Sequence, residues 1–199
     1  IQNIKKKIIH VQFPVDIKFW KNLENTKKKI IFVGNDSNRD FNFLKKLISD
    51  LKQYNFLVLT NAEIKNDKSI LNLKNVEVKS GEFASKDLTD KDLNALYSKA
   101  LISIIPLISG IQPSGQSVAQ QSLAVGIPVL ITETPGFWTD QFVVNEGIYL
   151  VDENKIDKWS KKIEEILKRE NNSISSKNKE ILKKYFSVEK FNKNLESLI

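Results

Sequence analysis

Seven apolar runs with strand character punctuate the chain: IIHVQF (8–13), KIIFVG (29–34), FLVLT (56–60), VEVKSG (76–81), LISIIPL (101–107), IPVLIT (127–132) and GIYLV (147–151). Between most of them the apolar spacing turns helical, in FNFLKKLISDLKQY, DKDLNALYSKA, QSVAQQSLAV and DKWSKKIEEILKR. Short strands alternating with helices predict a parallel sheet covered on both faces, a doubly wound, Rossmann-like α/β domain. Helix starts support this parse. Ser37 with Asp40 and Thr89 with Asp92 have capping-box spacing, and Ser187 is placed to cap VEKFNKNLESLI. Residues 153–199 carry helical pattern only, so the fold should end in helices that have no further strand to serve. Trp159, Ile163 and Ile166 share one helical face and read as core, Trp20 reads as an anchor for the lead-in segment, and His10 as strand or linker packing.

Composition narrows the chemistry. A chain of 199 residues that is 41% apolar can bury one substantial core, so one domain is expected. Cysteine is absent and His10 is the single histidine, which leaves no thiolate or histidine cluster for a transition metal. No run approaches the ~18 uninterrupted apolar residues that cross a bilayer. The chain starts at Ile1 and contains no Met, and so reads as a processed or truncated piece of a soluble protein. Its net charge of +7 comes from scattered lysines, only two of the 31 basic residues being Arg. Nucleic-acid binding wants basic residues clustered among exposed aromatics, so no nucleic-acid partner is expected. Attraction to anionic membrane surfaces or phosphorylated ligands stays open. Residues 100–154 hold no Lys or Arg at all. Burial of central strands accounts for most of that stretch but not for the polar loop 109–117.

Ligands of open parallel sheets bind outside the carboxyl ends of the strands. Four Gly-containing loops fall there: 34–39, 80–86, 108–117 and 132–138. In GNDSNRD, Gly34 permits close backbone approach and the following helix start can hold an anion. Arg39 beside it could grip a phosphate bidentately, or be a surface residue paired with Asp36 or Asp40. The loop is neither G-x-G-x-x-G nor a P-loop. In SGIQPSGQSVAQQ the amides of Gly115, Gln116 and Ser117 lie near a helix N-terminus and suit a diphosphate, with Ser114 or Ser117 adding a hydroxyl. The plainer alternative is an ordinary helix start capped by Ser114. Phe137 and Trp138 read as packing under the last loop.

The order of FVGNDSNRD, NVEVKSGEF, LNALYSKALISIIPLI, SGQSVAQQSLAVGIPVLITETPG and EGIYLVDENKIDKWSKKIEEIL resembles the C-terminal half of GT-B glycosyltransferases of the family-4-like, group 1, retaining kind. The likeness covers residues 29–169; PVDIKFW (14–20) resembles the segment after the interdomain linker, and KKYFSVEKF the closing helix. It implies a lead-in segment over 1–28, a donor-binding domain over 29–169, and helices over 170–199 that pack toward an N-terminal, acceptor-binding domain. It also implies a nucleoside-diphosphate sugar as partner, no metal or cofactor, and a role in polysaccharide biosynthesis. The location implied is cytoplasmic, with peripheral attachment to the membrane's inner face left open.

Carried over residue by residue, the resemblance implies that Gly34, Asn35, Arg39, Gly115, Gln116 and Ser117 meet the diphosphate and sugar. Glu82 and Phe83 would lie against the nucleobase, Gln121 would meet the ribose, and Glu133 is a weaker candidate for a sugar hydroxyl. The chain departs from the family where Asn35 replaces an arginine and where Pro113 and Gln121 stand in place of two glutamates. Gln121 can still exchange hydrogen bonds with ribose; nothing replaces the first carboxylate. Those departures favour one other reading, a non-catalytic binding or scaffold domain; a second, a UDP-sugar 2-epimerase-like enzyme, follows from the GT-B architecture and serine-glycine-rich loop that such epimerases share. The second is disfavoured by Gln120 and Gln121 where epimerases carry consecutive glutamates.

Overall fold

The computed structural model describes residues 13–23, 27–80, 88–136, 147–169 and 179–198. Six strands, β1 (Lys29–Val33), β2 (Asn55–Leu59), β3 (Val76–Lys79), β4 (Ala100–Ile105), β5 (Val129–Thr132) and β6 (Ile148–Val151), form one all-parallel sheet in the order β3-β2-β1-β4-β5-β6. The order reverses between β1 and β4. There the connections leave toward opposite faces, the arrangement that in such folds sets ligand crevices at the carboxyl ends of the strands.

Period-two alternation sends successive strand residues to opposite faces. Ile30 and Phe32 pack against α1 (Phe41–Asp50), α2 (Lys68–Leu71) and α5 (Ile156–Lys168). Ile31 and Val33 pack against α3 (Asp90–Ser98) and α4 (Gln116–Val125). The expected stripe on α5 is buried completely, and Trp159 meets Phe43 with ring centroids 5.3 Å apart. Emptying a site of that size costs about 3–5 kcal/mol.

Thr89 and Asp92 form the expected capping box, and Ser187 caps the last helix, α6 (Val188–Glu196). The cap expected at Ser37 lies elsewhere. Asp40 itself caps α1, accepting from the Phe43 amide at 2.9 Å. Asp36 to Arg39 is already taken up by a tight turn, in which the Asn38 and Arg39 amides donate to the side chain and carbonyl of Asp36. The sequence pattern also passed over a 3-10 turn (Glu63–Asn66) and the single-turn α2, which Asp67 caps.

Residues 8–12 of the first expected strand lie outside the described residues, as does His10, and Phe13 is exposed and not in a strand. Val15 instead makes a parallel bridge to Ser187, its amide donating to the Phe186 carbonyl at 2.8 Å. Val15, Trp20, Leu182 and Phe186 share the core beneath α3 and α4. The helix α6 buries no residue, and Val188, Leu195 and Leu198 stay exposed. Among the described residues no helix is long and apolar enough to cross a membrane.

Candidate functional site

The chain beyond β1 is laced to the chain beyond β4. The Asp40 amide donates to the Pro106 carbonyl at 2.9 Å, the Ile108 amide to Asn38 at 2.8 Å, and Arg39 bridges to Leu107. This pairing turns the Arg39 side chain inward, where it is only 4% exposed. Its Nη1 donates to the Ser114 hydroxyl and lies 3.4 Å from an Asp36 carboxylate oxygen. Nε points at Gly34 and has no hydrogen-bond partner among the described residues. A Cβ at Gly34 would collide with that nitrogen, so only glycine lets the guanidinium lie flat on the end of β1.

The other wall is the start of α4. Gly115 is its N-cap with φ +85°, a left-handed conformation that side chains resist. A Cβ there would sit 2.9 Å from Ile105 and 3.7 Å from Arg39 Nη1. Ser114 therefore does not cap the helix as the sequence pattern allowed; its hydroxyl accepts from Arg39 and donates to Asp36 at 3.1 Å. The amino end of α4 keeps its free amides and their partial positive charge, with no side-chain cap.

Burial pulls the Arg39 pKa down, against the opposing pull of Asp36 and then Tyr97. Guanidinium basicity leaves it a cation regardless. A buried cation beside a helix N-terminus is electrostatically unfavourable unless anions sit between them. Burial also pushes the Tyr97 phenol up, so it stays neutral, and its hydroxyl reaches Gln121 at 3.4 Å.

Of the other residues singled out above, Ser117 lies exposed on the first turn of α4 and Gln121 is half-buried one turn on. Gln116 Nε2 donates to the Gly136 carbonyl at 3.1 Å while the Gly136 amide donates to Gly110 at 3.0 Å, zipping the loops after β4 and β5 together. Asn35 accepts from the Asn61 amide at 2.6 Å, and Ser80 donates to the Asn61 side chain at 2.6 Å, which stitches the loops after β1, β2 and β3. Glu133 is exposed at the end of β5. Glu82, Phe83, Phe137 and Trp138 lie outside the described residues. Among the described residues no group of His, Cys, Asp and Glu could hold a metal ion.

Sequence reasoning missed the polar lock beneath this crevice. Thr132 accepts from the Leu107 amide at 2.8 Å and donates to Asn154 at 2.7 Å, while Asn154 donates to Asp40 and to the Leu107 carbonyl, both at 2.9 Å. One side chain thus ties together the ends of β1, β4, β5 and β6. The signal available was a lone Asn after the final strand, which has many uses in loops.

A doubly wound parallel sheet with helices on both faces, its order reversing between β1 and β4, is a Rossmann-like α/β domain. The sequence profile of the family described as glycosyl transferases group 1 matches residues 15–186, and the chain belongs to that family. It corresponds to the C-terminal domain of the GT-B enzymes. No curated protein sequence matches it. Solved structures share its fold. A glycosyltransferase from Rickettsia africae is 17% identical with a TM-score of 0.75, the match covering 96% of this chain and 56% of the other. Sucrose-phosphate synthase from Thermosynechococcus elongatus is 18% identical with a TM-score of 0.76, over 94% and 51%. HepE from Anabaena, solved in complex with UDP and glucose, is 12% identical with a TM-score of 0.75, over 94% and 55%. The chain spans about half the length of these proteins.

Proposed function

We propose that the chain is the donor-binding half of a retaining glycosyltransferase that takes a nucleoside-diphosphate sugar. The observation that carries this reading is the Arg39 guanidinium, 4% exposed, with an unpartnered Nε, held between Gly34 and the uncapped start of α4. When the glycosyl bond breaks, negative charge collects on the departing diphosphate. Arg39 and the amides of Gly115, Gln116 and Ser117 supply fixed positive charge there without reorganising, and need no metal or cofactor. Gln121 is the candidate ribose contact and Glu133 a candidate sugar contact.

The retaining outcome and the acceptor-binding N-terminal domain rest on the family resemblance. The exposed apolar residues Val188 and Leu195 of α6, with Leu198 just beyond it, fit a surface that such a domain would cover. Calorimetric titration of UDP, ADP and GDP tests the reading. At least one should bind, and Arg39→Ala should weaken it about 100-fold, the loss of charged hydrogen bonds worth ~3 kcal/mol. If none of the three binds, the scaffold reading takes its place.

A further inference from the structure

Arg39 already has an anionic partner in the cradle. The Asp36 carboxylate lies 3.4 Å from Nη1 and accepts from Ser114 at 3.1 Å; its side chain is 46% exposed while Arg39 is 4% exposed. Asp36 is therefore the solvent-facing partner of a guanidinium that nothing else exposes. Its charge also offsets the cation that would otherwise face the positive end of α4 alone.

We propose that Asp36 is a placeholder for the donor's phosphate, occupying Arg39 in the empty site and displaced from it when the diphosphate enters. This rests on the donor-site reading above and adds to it the element that sets how tightly the site holds its ligand. With Asp36 in place, Arg39 and the α4 terminus amount to roughly half a net positive charge; without it they amount to about one and a half. An entering phosphate must break the Asp36 pair and then tolerate a carboxylate nearby. After transfer the freed terminal phosphate carries close to one further negative charge. Repulsion from Asp36 is then at its largest, and the carboxylate re-pairs with Arg39 as product leaves. The residue speeds release at the expense of affinity.

The substitution Asp36→Asn isolates the charge. Its remaining side-chain oxygen still serves the Asn38 amide and the Ser114 hydroxyl, both of which meet Asp36 Oδ1, and the backbone turn is untouched. Two readouts should move in opposite directions. The ligand-free melting temperature should fall, because Arg39 loses its counter-ion. The affinity for inorganic pyrophosphate, and for whichever of UDP, ADP and GDP binds, should rise about fivefold, the equivalent of ~1 kcal/mol.

A purely structural Asp36 would lower the melting temperature with no gain in affinity. If Arg39→Ala abolishes binding but Asp36→Asn binds no more tightly than wild type, the placeholder is wrong and the donor site stands. If pyrophosphate and the nucleotides bind neither wild type nor Asp36→Asn, both fall together.

Discussion

The two ends of the same sheet handle positive charge in opposite ways. At the carboxyl end, the Arg39 cation is buried against two glycines and a helix terminus. Toward the amino end, a groove of about 340 Å³ runs between β1, β2, β3 and α3, floored by Ile31, Leu57, Leu96 and Ala100 and rimmed by Lys28, Lys29 and Lys99, with Lys79 joining it from the last residue of β3. Counted as charge, the second end is the stronger anion site. Lys28, Lys79 and Lys99, however, are exposed and Lys29 is half-buried, and both Lys29 and Lys79 are paired with Glu77. Each is a hydrated point charge on a flexible stem. Arg39 has lost most of its water and has a fixed direction, so an anion meeting it gains more than from several screened ammonium groups.

The contrast breaks most directly at Arg39. The ~100-fold loss expected for Arg39→Ala should not be recovered by Arg39→Lys, because a point charge cannot span the geometry of the planar fork. Full recovery by lysine would mean that charge alone matters and that the two ends differ only in how many cations they carry.

Next in size is Gly115→Ala, which combines a strained backbone with a 2.9 Å approach to Ile105. Chemical denaturation should show a loss of about 1–3 kcal/mol. A neutral result would remove glycine's role in shaping the cradle. Asn154→Ala should cost about 1–3 kcal/mol by removing one hydrogen bond each from Asp40 Oδ2, the Thr132 hydroxyl and the Leu107 carbonyl. Hydrogen exchange at the Leu107 and Ile108 amides should accelerate ahead of the strand interiors, and uniform protection would show that the lock is redundant.

At the other end, Lys29→Ala or Lys79→Ala should change stability by no more than ~1 kcal/mol and nucleotide affinity less than twofold. Hydrogen bonds from Lys29 and then Lys79 hold the Glu77 carboxyl below its usual range. A depressed carboxylate stabilises the fold above its ordinary pKa and loses that contribution as pH falls through the lowered one. Glu77→Gln should therefore flatten the acid limb of the melting curve slightly, below pH ~4. A large effect at neutral pH would overturn the view of this groove as a solvated surface.

The strands were legible because a parallel sheet buried on both faces leaves uninterrupted apolar runs such as ALISII and KIIFV. The helix starts at Thr89 and Ser187 were legible because capping is local in sequence. Arg39 and Gly115 stood out individually, yet their meeting depends on the antiparallel lacing of residues 38–40 with 106–108, which leaves no period in the sequence. Ser114 was misread for the same reason. A serine before a helix looks like a cap unless the arginine that claims it, 75 positions away, is known. Asn154 was invisible because its three partners come from three other loops.

The seam between β1 and β4 also governs when the cradle comes into being. Lys29 pairs with Ala100 across it, so the first half of the chain must be made and wait before the second can close on it. Pairing across such a distance is entropically late in folding. Asp36 and Arg39 arrive with the early half, Ser114 and Gly115 with the late one. On the proposed donor site, a phosphate gripped by Arg39 from one half and by the Gly115 end of α4 from the other would rivet two separately built halves, so ligand should lengthen the lifetime of the folded protein.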